Sequence, residues 1–128
     1  MKRGHMDNLA TNIRKYLSRR TPERLQDIHR QLIRPGDHHN LFLALIARGN
    51  RTSVPFLIHA LEFQGNTARH EGMICTKIHC LEALAKCAGT YAGPNYSDWH
   101  AWWESVRAQA KWSHAHSEYL RILSEKRP

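Results

Sequence analysis

An unbroken apolar run over residues 41–47 lies in the third helical segment of this 128-residue chain. A helix that is apolar on every face is either buried in protein or crosses a membrane. This run is too short to cross, because a membrane span needs roughly 20 apolar residues. It therefore predicts a helix that is enclosed by other helices, in a protein with no membrane partner.

Apolar residues recur at helical spacing through nearly the whole chain, and capping or breaking residues separate the segments. No run of alternating polarity predicts a strand. We predict one all-α domain over residues 1–128 with about six or seven short antiparallel helices. We expect residues 1–6 to be disordered or derived from cloning. The first predicted helix covers residues 9–17, the second is capped by Thr21 and stopped by Pro35 and Gly36, and the third runs from Asp37 to Gly49. The fourth is capped by Thr52 and Ser53 and ended by Gly65 and Asn66, and the fifth runs from Ala68 to Ala88. Ser97 and Asp98 cap the sixth, and a last helix carrying Trp112 and Leu123 either continues from the sixth or is separated from it by a break near Ser113.

The fifth predicted helix has two apolar stripes and one polar stripe at helical spacing. A helix of this kind packs against neighbours on two sides and shows the third side to solvent. The main apolar stripe holds Ile74, Ile78, Leu81, Ala85 and Ala88, the second holds Met73, Cys80, Leu84 and Cys87, and the polar stripe holds Cys75, His79, Glu82 and Lys86.

Consecutive helices with two apolar faces are what a stacked helical repeat requires, since each helix packs against its partner and against the next pair. Residues 40–89 resemble a HEAT-type repeat array. Within them, residues 41–50 resemble an inner helix, residues 52–61 the outer helix of the next repeat, and residues 78–89 its inner partner. The Trp-rich residues 96–103 are similar to the end of some bacterial HEAT-like arrays.

This resemblance implies a HEAT-like α-α superhelix that acts as a non-catalytic scaffold, with its inner helices lining a concave binding surface. The loop over residues 64–71 is longer than the usual turn within a repeat, and internal similarity is weak. A small helical bundle is therefore the alternative fold. The implied concave surface carries Asn40, Arg48, Cys75, His79, Glu82 and Lys86.

The chain has a formal net charge of +8, and residues 1–51 hold 11 of its 19 lysines and arginines with four acidic residues. Such asymmetry indicates an anionic partner that meets the N-terminal half. We predict a binding or adaptor module for an acidic protein partner, with nucleic acid binding as the alternative. Against nucleic acid, the N-terminal half lacks the aromatic residues that alternate with basic ones in single-strand binders.

Catalytic and metal chemistry are not expected, and neither is a cofactor. Cys75 and His79 share a helix face, but no third ligand follows at a recognisable spacing, and a zinc site needs three or four. The histidine pairs His38 with His39 and His114 with His116 lack partners in the same way. No P-loop, GxGxxG, HExxH or GxSxG pattern is present.

The three cysteines are an odd number without a paired framework, and no apolar segment follows the basic N-terminus as in a secretory signal. Both features predict a reducing, cytoplasmic location.

Three tryptophans close together can either bind a partner or cap the end of a helical array. Trp99 and Trp103 share a face with Val106 and Ala110, which favours packing, whereas Trp102 lies beside that face. We therefore include Trp102 among the candidate binding residues. These are Arg14, Lys15, Arg19, Arg20, Arg24, Arg48, Arg51, His79, Lys86 and Trp102.

Overall fold

The structure is a computed structural model that describes residues 21–36, 38–64 and 71–125, with the backbone alone for residues 71–75. The described residues form helices and no strand, which confirms the all-α prediction for this part of the chain. The predicted first helix, the side chains of Arg14, Lys15, Arg19 and Arg20, and residues 1–6 lie outside it. The helices are α1 (Leu25–Leu32), α2 (His39–Arg48), α3 (Val54–Glu62), α4 (Glu71–Ala88), α5 (Tyr96–Val106) and α6 (Ala110–Leu123), with a 3₁₀ turn at Arg51–Ser53.

The helix starts differ from the sequence prediction at two places. The predicted cap Thr21 is wrong, because α1 begins after Arg24, which makes no side-chain cap. The α5 helix is capped by Asn95 and not by Ser97: the Asp98 carboxylate accepts from the Asn95 backbone N–H at 3.1 Å in a reciprocal capping box.

The chain enters α3 through the 3₁₀ turn. The Asn50 side chain caps this turn by accepting from the Thr52 backbone N–H at 2.8 Å, and the Ser53 hydroxyl accepts from the Asn50 N–H at 3.2 Å. Ser53 occupies the N-cap position of α3 but makes no side-chain cap there. Its hydroxyl instead lies 2.8 Å from His29 Nε2 and so ties this turn to α1.

Helices α2 and α4 run parallel, side by side. The rings of His39 and His79 contact each other near the start of α2, with centroids 4.9 Å apart. Near its end, the Cys87 thiol lies 3.8 Å from the carbonyl oxygen of Leu45. The second contact lies nearer the C-terminus than the first on both helices, so the helices run in the same direction and their C-terminal ends lie together.

Helices α1 and α3 form a second parallel pair. The His29 ring stacks on Phe56 with a centroid distance of 4.4 Å, and one turn further the backbone of Ile33 lies within hydrogen-bonding reach of the His59 ring. The described helices therefore alternate between two layers, with α1 and α3 in one and α2 and α4 in the other.

The most deeply buried helix is α3, in which only His59 and Glu62 are not buried, and the expectation that residues 41–47 are buried all round is wrong. Leu57 and Leu61 of α3 are fully buried, and α3 contacts α1, α4, α5 and α6. On α2, Leu41 and Phe42 are buried, but Leu43 is 36% exposed and Ala47 is also exposed. The α2 helix lies at the edge of the described layers, and none of the described helices packs against one of its faces. No helix in the described ranges combines the length and the apolar character needed to cross a bilayer.

The core-facing side of α4 is the predicted second stripe together with Ala88 of the main stripe, and Leu81 of the main stripe packs against the core. Cys80, Leu84 and Cys87 are buried, with Ala83 between them, whereas Ile78 of the predicted main stripe is 50% exposed. The contacts with α2 and α3 set this rotation, since the two thiols lie against carbonyl groups of those helices. Glu82 and Lys86 are exposed as predicted, and His79 is partly buried.

The last two helices cover α3 and the 3₁₀ turn. Trp99 is fully buried, and its indole N–H donates to the Gly93 carbonyl at 2.8 Å. The break predicted near Ser113 lies instead at residues 107–109, before α6 begins. On α6, Trp112 and Ile122 face the core, whereas Leu120 and Leu123 are exposed.

Gly49, where α2 meets the end of α4, provides a test of this packing. A Cβ atom at Gly49 would lie 2.6 Å from both Cys87 Sγ and the Leu45 carbonyl oxygen. We expect Gly49→Ala to lower the free energy of unfolding by about 1–3 kcal/mol through overpacking, measured by urea denaturation. Gly89→Ala is the comparison: its site has a φ of +75° but no neighbour within 4 Å, so the cost is backbone strain alone, roughly 1 kcal/mol. Equal losses in the two variants would contradict the packing of α2 on α4.

Candidate binding surface

Arg48 lies at the centre of a group of basic residues that the fold brings together. Its guanidinium donates to the carbonyl oxygens of Glu23 and Pro22 at 2.8 and 2.9 Å. These bonds join the end of α2 to the segment just before α1, which also carries Arg24. Both side chains are exposed.

Arg51 and Lys86 reach the same end of the molecule by different routes. Arg51 is the first residue of the 3₁₀ turn that follows α2. Lys86 is in the last turn of α4 and next to Cys87, whose contact with Leu45 places the ends of α2 and α4 together. We call Arg24, Arg48, Arg51 and Lys86 the basic end.

Ion pairing distinguishes the basic end from Arg30, Arg107 and Arg121, but not from Arg34, Lys77 and Lys111, which also have no carboxylate within ion-pair distance in the described ranges. Arg30 pairs with Asp27 and Glu125 at 2.9 Å, and on the helices that follow α4 Arg107 and Arg121 also have carboxylate partners. Within the described ranges, no carboxylate lies within ion-pair distance of the four side chains of the basic end. Arg48 and Lys86 lie in the last turns of their helices, where a positive charge interacts favourably with the negative end of the helix dipole.

A shallow groove of about 370 Å³ leads along α2 to the basic end. Its α2 side is formed by Asn40, Leu43, Ala44, Ala47 and Arg48, and its other side by Thr21, Pro22 and Glu23. We call it the α2 groove. Its described lining is mixed: Pro22, Leu43, Ala44 and Ala47 are apolar, and Thr21, Glu23, Asn40 and Arg48 are polar or charged. The sequence prediction missed Leu43, Ala44 and Ala47 because their hydropathy assigned them to the interior.

Two predicted binding residues lie apart from the basic end. His79 is about two turns away on α4, where its ring pairs with the Glu82 carboxylate at 2.8 Å. Trp102 is partly buried and packs edge-to-face against Trp99 and Trp112, with centroids 5.4 and 5.3 Å apart. Its ring is thus part of the aromatic packing between α5 and α6. The side chain of Cys75 is outside the described part of the chain.

In the ranges that the structure covers, no three histidine, cysteine or carboxylate side chains are grouped so that they could hold a metal ion. The chain matches no protein family, no curated protein and no solved structure.

Proposed function

We propose that this protein is a non-catalytic binding module that recognises an acidic segment of a partner protein at its basic end. The observation that supports the proposal is that Arg24, Arg48, Arg51 and Lys86 lie on segments that the packing of α2 on α4 brings to the same end, with no carboxylate paired to them in the described residues. Complementary charge steers encounter and gives specificity.

The α2 groove favours a polypeptide over a simple anion. An acidic segment that also carries apolar residues would place them against Leu43 and Ala44 while its carboxylates reach Arg48. Anchoring apolar groups in a groove beside charged contacts is a recurring mode of peptide recognition. The affinity would be modest and salt-sensitive, because exposed charge pairs each contribute only about 0–1 kcal/mol.

We further propose a HEAT-like α-α superhelix as the architecture. The parallel arrangement of α1 with α3 and of α2 with α4 supports it, since alternate helices of a helical repeat stack in the same direction. The basic end and the α2 groove then lie on the layer of α2 and α4, which corresponds to the inner helices in the resemblance.

Nucleic acid is the alternative partner. The overall positive charge supports it, and the N-terminal cluster from Arg14 to Arg24 belongs mostly to residues outside the described ranges. None of the described residues that line the groove is aromatic, so none of them offers a ring on which a base could stack, and for this reason we place the protein partner first.

We place the protein in the cytoplasm on the chemistry of its cysteines. Cys80 and Cys87 are free and buried, and burial raises the pKa of both thiols. Protonated, buried thiols are unreactive. Unpaired thiols of this kind suit a reducing compartment.

The test is fluorescence anisotropy with a short labelled peptide of glutamate and leucine. We expect saturable binding that weakens as salt rises from about 50 to about 200 mM, since exposed charges are screened. The double variant Arg48→Glu with Lys86→Glu is expected to bind on the order of tenfold or more weakly, because two attractions become repulsions.

The matched control is Arg34→Glu with Lys77→Glu, which makes the same change in net charge at the opposite end of the molecule. It should retain binding within about twofold. Equal losses in both double variants would contradict recognition at the basic end. Tighter binding of a DNA duplex than of the peptide near physiological salt, lost on neutralising Arg19, Arg20 and Arg24, would favour the nucleic acid alternative.

A further inference from the structure

One face of α2 forms a side of the α2 groove and has none of the described helices against it. Its residues recur at i, i+3, i+4 and i+7, so they lie on one side of the helix; they are Asn40, Leu43, Ala44 and Ala47. Leu43 is 36% exposed, and Ala47 is exposed as well. Side chains of one helix pack into the hollows between side chains of another, and small alanines leave such a hollow. The face therefore favours a helix with larger apolar side chains as its occupant.

The chain itself reaches this groove from its N-terminal side. Thr21, Pro22 and Glu23 line the wall that faces α2, and the Arg48 guanidinium holds this segment by its two hydrogen bonds to carbonyl oxygens of Pro22 and Glu23. The segment that precedes Thr21 is thus joined to the groove by the backbone. Leu17 is four residues from Thr21, so it lies at most about 14 Å away.

The preceding segment contains the predicted first helix, over residues 9–17. Its apolar stripe consists of Leu9, Ile13, Tyr16 and Leu17. As a helix, residues 9–17 extend over about 13.5 Å, and the ten residues of α2 extend over about 15 Å. The stripe therefore matches the open face of α2 in length and supplies the large apolar side chains that this face lacks.

The connection to α1 sets the direction of this helix in the groove. Residues 18–24 join it to α1, and connections of roughly 2–8 residues are usual between packed helices. Because Arg48 ties the segment before α1 to the end of α2, a helix that ends there and lies in the groove has Leu17 towards Arg48 and Leu9 towards Asn40. It then runs parallel to α2, in the layer of α2 and α4, as the alternation of the described helices requires.

The charge of the segment limits how firmly it can hold the groove. Arg14 and Lys15 lie off the apolar stripe, and Arg19 and Arg20 follow it on the way to the basic end. Like charges repel, whereas an acidic ligand is attracted to Arg48 and its neighbours. An acidic segment with similar apolar residues would therefore hold the same groove more firmly than residues 9–17 do.

We propose that residues 9–17 occupy the α2 groove of their own molecule while no partner is bound, and that an acidic partner segment displaces them. The displacement rests on the proposed recognition at the basic end, whereas the occupancy does not. Since a ligand binds only the fraction of molecules whose site is open, the occupied groove lowers the apparent affinity for the partner by that fraction.

Occupancy is tested by a nitrogen–proton correlation spectrum of the full chain without peptide. Ile13→Asp places a carboxylate on the apolar stripe, and Thr11→Asp places the same charge on the opposite side of the predicted helix. We expect Ile13→Asp to shift the amide signals of Leu43 and Ala47 and to leave that of Ile122, in the core on α6, unchanged. Thr11→Asp should leave all three unchanged, and circular dichroism should show that both variants fold.

Displacement is tested by fluorescence anisotropy with the glutamate–leucine peptide. Ile13→Asp should bind the peptide about three to ten times more tightly than Thr11→Asp does, because its groove is open in more of the molecules. The two variants have the same net charge, so added repulsion of the acidic peptide does not explain a difference between them.

Amide signals of Leu43 and Ala47 that respond to both variants equally, or to neither, would overturn the occupancy whatever the peptide does. A response that fades on dilution, with a dimer in analytical ultracentrifugation, would place the segment of a second copy in the groove and would also overturn it. Equal peptide affinities of Ile13→Asp and Thr11→Asp would overturn the displacement. Absence of peptide binding by the unchanged chain and by both variants would contradict the proposed recognition and the displacement together, while the amide signals still decide the occupancy.

Discussion

Replacing Phe56 with alanine is expected to lower the free energy of unfolding by about 3–5 kcal/mol, the range for truncating a buried aromatic residue. Phe56 is fully buried on α3. One side of its ring stacks on His29 of α1, and its edge meets Tyr119 of α6 at a centroid distance of 5.2 Å. Its removal leaves a cavity where three helices meet. Domains of this size are stable by about 5–15 kcal/mol, so a large part of the stability would be lost.

Urea denaturation followed by circular dichroism measures this loss. Phe63→Ala is the matched control, since Phe63 follows the same helix but is 62% exposed, and its replacement should change stability by less than about 0.5 kcal/mol. If Phe56→Ala and Phe63→Ala were equally mild, α3 would not be the enclosed centre of the fold.

Acidification is expected to destabilise the protein through His29. Burial lowers the pKa of His29 from 6.5 to about 4, a change that the Glu118 carboxylate partly opposes. The folded state therefore holds the neutral ring, whereas the unfolded chain takes up a proton near pH 6.5. The stabilisation is fully present above pH 6.5 and is lost as the pH falls from 6.5 towards 4, by about 3 kcal/mol in all.

Urea midpoints measured between pH 7.5 and about 4.5 would show this decline. His29→Gln can keep the hydrogen bond to the Ser53 hydroxyl but does not titrate, so its stability should be lower at pH 7.5 and fall less steeply with acid. His100→Gln, at an exposed position, should follow the unchanged chain. A profile for His29→Gln as steep as that of the unchanged chain would show that other groups are responsible.

The helices themselves were largely predictable, because periodicity is a local property of the chain. What periodicity could not assign was the burial of each face. Residues 41–47 and α3 are both apolar nearly all round, yet only α3 is enclosed, since its neighbours come from four other helices. Similarly, hydropathy favours Ile78 over Cys80 as the core residue of α4, but the rotation of α4 against α2 and α3 buries Cys80.

The candidate sites likewise combine residues that the sequence can indicate with contacts that only the fold determines. Arg24, Arg48, Arg51 and Lys86 could be selected from sequence as basic side chains outside the apolar stripes, but their meeting at one end follows from the parallel packing of α2 and α4. His79 shares its stripe with Lys86, yet its pairing with Glu82 and its distance from the others required coordinates.

A nitrogen–proton correlation spectrum of the labelled protein, recorded with and without the glutamate–leucine peptide, tests the central claim most directly. The account predicts that the largest shift changes occur at the amides of Arg48, Arg51 and Lys86 and at the Nε–H groups of Arg24 and Arg48, with smaller changes along the α2 groove at Leu43 and Ala44. An unchanged spectrum at saturating peptide, or changes confined to the opposite end near Arg34 and Lys77, would contradict it.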